Sequence, residues 1–339
     1  MNNPKDRYEH HLNSFQKKLT ESFRQHKKSP LSSLAERLYL NDGRTPLFQL
    51  QGLARIEKKS GKNKGKAEDW LLHAKELEDG IGKYDYWMAM IESNKKWKFP
   101  AEIDRYFHLQ AAYALGVLEE RMIKLGWMEK DYHGTRISDE GLRQFKKALK
   151  KADWYNPSKE RKKLLELYRD EAMEIHNKIV KKELDLNHVE FGIHEFRRNV
   201  RWLGIYASAL MGKIQLDKTT GKEPLKKFVT AKRANVPHNK LPLNNQQESP
   251  VLFIPGGFYA MSELIAGIGD IKDPGLATEE MMQIGKMFGM SPTAIKTRLG
   301  KDYFPHHRVV KEAKQLIHNY VINENLFAHI ADHFDKQLK

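Results

Sequence analysis

The sequence predicts an all-α fold in two helical-bundle halves, and three observations carry that expectation. Apolar residues recur every three or four positions through most of the 339 residues, the period of a helix with one buried stripe. The strict alternation of a half-buried strand is almost absent. The pattern L-x-x-G-I-G occurs twice, at Leu77-Glu78-Asp79-Gly80-Ile81-Gly82 and at Leu264-Ile265-Ala266-Gly267-Ile268-Gly269, once on each side of Asn156-Pro157-Ser158. That Asn-Pro-Ser turn divides the chain into expected halves 1–155 and 156–339.

In the first half, Phe15, Leu19 and Phe23 and then Leu31, Leu34 and Leu38 mark charged helices broken at Ser29-Pro30. Asn41-Asp42-Gly43 is a turn, and Pro46 opens a helix from Leu47 to about Lys59. Residues 60–66 read as a basic loop. A helix from Ala67 to Asp79 then meets Gly80-Ile81-Gly82, where glycines suit a close crossing or a helix end. The pattern resumes at Trp87, Met88 and Ile91. From Ala101 to Gly126 an amphipathic helix places Tyr106, Leu109, Tyr113, Val117 and Met122 inward. Residues 127–138 predict a hairpin or extended loop, followed by a basic helix ending near Lys151.

In the second half, Ser158 is a plausible N-cap, and Lys159–Leu184 and His188 to about Lys213 predict an antiparallel helix pair joined by Asp185-Leu186-Asn187. Residues 215–258, rich in Pro, Gly, Asn and Gln, read as a long irregular insertion. Helices resume at 258–267, 278–288, 292–299 and 305–320, with a last one to the C-terminus.

Lys plus Arg total 59 against 44 Asp plus Glu, a net charge of +15 that favours a polyanionic partner. With no cysteine, disulfides and thiolate metal sites are excluded. Met1–Arg7 lacks the apolar region of a signal peptide, and the longest apolar run, 202–212, is too short to span a bilayer. The expectation is a soluble, cytoplasmic protein.

The stretch Ile193-His194-Glu195-Phe196-Arg197-Arg198-Asn199-Val200-Arg201-Trp202-Leu203 shows the charge in its most ordered form. On a helix His194, Arg197, Arg198 and Arg201 form one stripe, while Phe196, Val200, Leu203 and Ala207 form another that can be buried. Arg55, Lys58 and Lys59 repeat the i, i+3, i+4 spacing in the first half. His307, Lys311, Lys314 and His318 share one face of a later helix.

At these residues the chain resembles the CHAD family, the conserved histidine α-helical domain. Residues 193–203 look like that family's histidine-plus-arginine helix. Leu77 to Asp85 and Leu264 to Asp273 look like its later L-x-x-x-L-G-x-x-x-D segment, with Gly where Leu is usual. Gln51 stands near where the first half's histidine would fall. The resemblance implies two helical-bundle repeats around a basic channel, with inorganic polyphosphate as ligand. It implies that His194, Arg197, Arg198 and Arg201 face the polyanion, with Arg55, Lys58, Lys59, Lys311 and Lys314 as further contacts. Guanidinium groups bind phosphate oxygens bidentately, and His194 would add a donor whose charge depends on pH.

Two alternatives stand beside this one. Residues 281–300 have helix-turn-helix spacing, with Gly285 small at the crossing, Gly289 at the turn and Ile295 as anchor. Thr293, Lys296, Thr297 and Arg298 would then face DNA. Residues 113–150 also look somewhat like a winged helix with its tip at Tyr132-His133-Gly134. The other alternative is a helical scaffold or partner-binding protein. There is no G-x-x-x-x-G-K-[ST], H-E-x-x-H or G-x-S-x-G segment, and no acidic cluster to hold catalytic metal ions. The sequence therefore predicts binding without catalysis and without a cofactor.

Overall fold

In a computed structural model of the chain, residues 3–28, 33–131, 134–218, 225–243 and 249–339 are described. Among them helices dominate, and strands are confined to two small ribbons, so the fold class is all-α. The chain divides into two compact units, Asn3–Trp154 and Tyr155–Lys339.

The N-terminal unit runs α1 (Pro4–Lys28), α2 (Leu34–Leu40), α3 (Arg44–Ser60), α4 (Lys64–Trp97), α5 (Ala101–Lys124), a hairpin of β1 (Met128–Asp131) and β2 (Gly134–Ile137), and α6 (Glu140–Lys150). The expected break at Ser29-Pro30 lies outside the described residues. Ser33 caps α2 by accepting the Glu36 N–H. Helix α4 packs between α3 and α5 and passes unbroken through Gly80-Ile81-Gly82, so the glycines mark a crossing and not a helix end. A Cβ at Gly80 would lie 2.9 Å from Leu118 Cδ1, and one at Gly82 2.6 Å from an Arg44 guanidinium nitrogen. Neighbouring groups occupy the volume that side chains would need.

Aromatic packing fills this unit. Tyr8 meets Trp70 edge-on at 5.2 Å and Trp154 at 5.8 Å, while Phe15 meets Trp127 at 4.8 Å. Trp127 Nε1 donates to His73 Nε2 over 2.7 Å, which requires that nitrogen to be unprotonated. Burial, opposed by Glu76, lowers the His73 pKa to about 4. The unfolded chain, with a histidine near 6.5, therefore binds more protons between these values. Stability should be full above pH 6.5 and fall as pH drops toward 4, by up to about 3 kcal/mol. Denaturant unfolding at pH 7 and 4.5 checks this: His73→Gln should flatten the pH dependence relative to the parent protein.

Helix α5 corrects one expectation. Its inward residues are Ile103, Phe107, Ala111, Ala114, Leu118 and Met122. Leu109 and Tyr113 are instead 68% and 72% exposed.

The C-terminal unit starts with α7 (Pro157–Val180), where the cap is Asn156, which accepts the Lys159 N–H, and not the expected Ser158, which lies inside the helix. After a loop comes a π-helical turn, Val189–His194, leading into α8 (Glu195–Ala209). The first helix thus ends four residues before the expected Leu184. Its main partner is the C-terminal helix: Tyr168 packs on Phe334 at 5.1 Å, while its hydroxyl donates to the Leu203 carbonyl of α8.

The insertion is tied at its base by a parallel ribbon of β3 (Ile214–Leu216) and β4 (Val251–Phe253), paired Ile214 to Val251. The described residues between them hold a 3₁₀ turn, Lys226–Phe228, a four-residue α9 (Ala231–Ala234) and another 3₁₀ turn, Pro237–Asn239. Irregular chain ends at Ile254, because Pro255 starts α10 (Pro255–Met287). This helix continues through Pro274, where the sequence predicted a gap between two helices. Then follow α11 (Pro292–Leu299), α12 (His306–His318), a second π-helical turn, Asn319–Asn323, and α13 (Leu326–Leu338). A Cβ at Gly267 would lie 2.9 Å from Leu316 Cδ2, and one at Gly269 2.9 Å from an Arg197 guanidinium nitrogen. Each unit therefore carries its L-x-x-G-I-G in mid-helix, with a leucine over the first glycine and an arginine over the second.

Candidate anion-binding site

The stripe at 194–201 begins on the π-helical turn, whose wider winding feeds His194 and the following arginines into different surroundings. Arg197 reaches across to α10, where Nε donates to the Ile265 carbonyl at 2.9 Å. Arg198 is ion-paired to Glu195. Arg201 is partly buried. His194 lies 3.9 Å from Glu190, and its pKa is lowered. Burial is the first cause and outweighs Glu190, and Lys272, Arg198 and Arg197 push the same way as burial. His194 is thus neutral at pH 7, and its Nδ1 is buried without a hydrogen-bond partner among the described residues. Lys272, itself almost fully buried, pairs with Asp273 at 2.7 Å.

In the N-terminal unit Arg55 is partly buried, Lys59 is exposed, and Lys58 pairs with Glu68. The residue that structurally parallels Arg197 is Arg44, at the first position of α3. Its Nε donates to Glu78 at 2.7 Å and its guanidinium also bonds Asp85 at 3.0 Å. Gln51 contributes a long 3.5 Å contact to the same Glu78. Arg44 lies outside the Arg55, Lys58, Lys59 spacing that the sequence presents on this helix. The usable signal was its place directly after the Asn41-Asp42-Gly43 turn.

Another concentration of cationic and amide groups lies elsewhere in the C-terminal unit. The loop after α7 folds back on the π-helical turn at Gly192, where a Cβ would lie 2.0 Å from the Asp185 carbonyl oxygen. Between this loop, α12 and the second π-helical turn is a cavity of about 940 Å³. Aliphatic side chains, Ile179, Leu184, Leu186 and Ile317, form part of its wall. Lys182, Lys314, His318, Asn187, Asn319 and Asn323 supply polar groups. Lys314 Nζ donates to Asn187 Oδ1 at 2.6 Å. Among the described residues neither Lys182 nor Lys314 has a carboxylate within 4 Å.

One carboxylate, Asp185, also lines the cavity, and it is already engaged. Its Oδ1 accepts the Asn187 N–H at 2.9 Å and the Asn187 side-chain amide at 2.7 Å. These bonds, with His188 and Lys314 nearby, hold its carboxyl below the usual range. Lys311 continues the exposed face of α12 one turn away, with no carboxylate in salt-bridge range among the described residues. Of the expected contacts, Lys314 therefore lines the cavity and Lys311 extends its rim. Lys182, Asn187 and His318 join them, and the sequence offered no spacing that linked a loop lysine to α12.

The helix-turn-helix segment is also well formed. Ile295 is fully buried, and its Cδ1 lies 2.5 Å from where a Gly285 Cβ would be. Gly289 has φ +76°, and Ser291 caps α11 through the Ala294 N–H. Thr293, Lys296, Thr297 and Arg298 are exposed. In the N-terminal unit the hairpin of the winged-helix alternative exists, with Met128 opposite Ile137, while Tyr132 and His133 at its tip lie outside the described residues. Among the described residues no three His, Asp or Glu side chains converge as metal ligands would, and no helix is long and apolar enough to cross a membrane.

No protein-family model, no curated protein and no solved structure matches the chain.

Proposed function

We propose that the protein is a non-catalytic anion-binding helical protein. Its ligand in this reading is inorganic polyphosphate, held at the Lys182–Lys314 cavity and along the exposed face of α12. The observation that supports this best is a cavity rim with two ammonium groups against one carboxylate, Asp185, whose Oδ1 is already hydrogen-bonded, together with several amide groups. Its volume falls in the roughly 300–1,000 Å³ range of sites that enclose small ligands. Each phosphate added to such a rim brings a charge and strong acceptors, and its binding releases counterions. Lys311 and His307, one and two turns away from Lys314, give an extended chain further contacts. The resemblance of residues 193–203 to the CHAD histidine-plus-arginine helix points to the same ligand, with the arginines of that helix acting mainly as framework.

A second reading, DNA binding through α11, is favoured by the Gly285–Ile295 packing and the four exposed side chains of that helix. Titration at equal phosphate and moderate salt separates the two. The double variant Lys182→Ala/Lys314→Ala should weaken polyphosphate binding roughly tenfold or more, the scale of two lost phosphate contacts. Lys296→Ala/Arg298→Ala should leave it unchanged. A clear preference for duplex DNA, lost in the second variant and kept in the first, would overturn the polyphosphate reading. Phosphate release from polyphosphate with added Mg²⁺ tests the absence of catalysis.

A further inference from the structure

The outer face of α5 is apolar at its middle and oppositely charged at its ends. Leu109 and Tyr113 are 68% and 72% exposed, Ala112 and Gly116 are exposed between them, and a Cβ at Gly116 would meet nothing within 4 Å. Arg105 stands one turn before Leu109, and Glu120 one turn after Gly116, both exposed. The line Arg105, Leu109, Ala112/Tyr113, Gly116, Glu120 follows the three- and four-residue steps of one helix face. The opposite face of the helix, from Ile103 to Met122, is already buried in the unit's core. Glu120 has no cation within 4 Å among the described residues, and Arg105 has only Glu102 at 3.7 Å.

This line is complementary to itself when reversed. We propose that two copies of the chain pair through α5, antiparallel, about a two-fold axis between Ala112 and Tyr113. In that register Arg105 of one copy faces Glu120 of the other. Leu109 fills the space left open at Gly116, and each Ala112 takes the opposing Tyr113. The reversal maps the whole line onto itself, as a two-fold interface requires. A parallel pairing would set Arg105 against Arg105 and Glu120 against Glu120, so charge selects the antiparallel arrangement. The small side chains at Ala112 and Gly116 let the two axes approach to roughly 8 Å, the close end of helix packing. One helix pair is a small interface, so the dimer should form in the micromolar range, about the affinity of transient complexes.

Sedimentation velocity of the full chain across the micromolar range should show a reversible monomer–dimer equilibrium. Arg105→Glu and Glu120→Arg should each weaken it roughly tenfold, the scale of one like-charge pair repeated at both ends of the helix. The double charge swap should restore it, which a merely structural effect would not produce. Because the chain has no cysteine, register can be read by cross-linking single-cysteine variants. Ala112→Cys lies beside its own copy and should oxidise to a covalent dimer. Arg105→Cys, roughly 22 Å along the helices from its copy, should not. A monomer at every concentration, which would leave the face to another occupant, overturns the proposal. So does a dimer indifferent to Leu109→Asp, or one cross-linked equally by both cysteines.

Discussion

Replacing Gly192 by alanine should destabilise the C-terminal unit by about 3 kcal/mol, the upper end for one methyl group forced into a packed interior. The three nearest atoms that the new Cβ would meet are all backbone: Asp185 O at 2.0 Å, Asp185 C at 2.8 Å and Leu186 Cα at 3.1 Å. None can rotate away, so the loop at 185–187 must move off the π-helical turn. That loop carries Asn187, whose side chain both occupies the Asp185 carboxylate and receives Lys314. Loss of stability and loss of anion affinity should therefore appear together. Denaturant unfolding followed by near-UV absorption or fluorescence reads the first, and polyphosphate titration below the transition reads the second. An unchanged midpoint would mean that the loop does not lie against the turn.

The second large effect should come from Arg44→Met, at about 3 kcal/mol, against about 1 for Arg197→Met. Both arginines lie over the second glycine of an L-x-x-G-I-G segment, yet their chemistry differs. Among the described residues Glu78, only 7% exposed, has one short side-chain hydrogen bond, from Arg44, since Gln51 is 3.5 Å away. Asp85 keeps the Tyr39 hydroxyl at 3.0 Å when Arg44 is removed. Removing Arg44 thus strands a buried carboxylate, and the cost is chiefly that of the charge left behind. Arg197 meets a helix carbonyl at Ile265, and its removal strands no carboxylate. Replacing the pair together, Arg44→Met/Glu78→Leu, should recover most of the loss. Equal destabilisation by Arg44→Met and Arg197→Met would rule out the buried-charge explanation.

The elements that the sequence placed well are those set by local chemistry. The boundary at Asn156-Pro157-Ser158 is where the sequence put it, although the cap is Asn156, which accepts the Lys159 N–H ahead of a Pro that needs no donor, and not Ser158. Gly289 turns the chain with a positive φ, and Ile295 closes the corner against Gly285. Where local chemistry admits two outcomes, the sequence could not choose. Glycines at 80 and 82 suit a helix end or a crossing, and only Leu118 and Arg44 arriving from other helices made them a crossing. Pro274 removes one hydrogen bond without stopping α10, which is closely packed there: a Cβ at the neighbouring Gly275 would lie 2.3 Å from Val309.

Helix α5 and the stripe at 194–201 make the same point for surfaces. Periodicity on α5 predicts Tyr106, Leu109, Tyr113, Val117 and Met122 as the inward line, whereas the core takes Ile103, Phe107, Ala111, Ala114, Leu118 and Met122. The spacing of His194, Arg197, Arg198 and Arg201 assumes a regular helix, whereas its first residue ends a π-helical turn, and His194, Arg197 and Arg198 meet Glu190, the Ile265 carbonyl and Glu195 respectively. By itself the sequence determined the all-α class, the excess of positive charge and the twin L-x-x-G-I-G segments, because composition and 3.6-residue periodicity are properties of the chain alone. Tertiary structure alone decided which cations are neutralised and which remain available. A counter-charge can come from any segment that folding brings within 4 Å, as Glu78 does for Arg44, and the loop bearing Lys182 meets α12 only when the unit is packed.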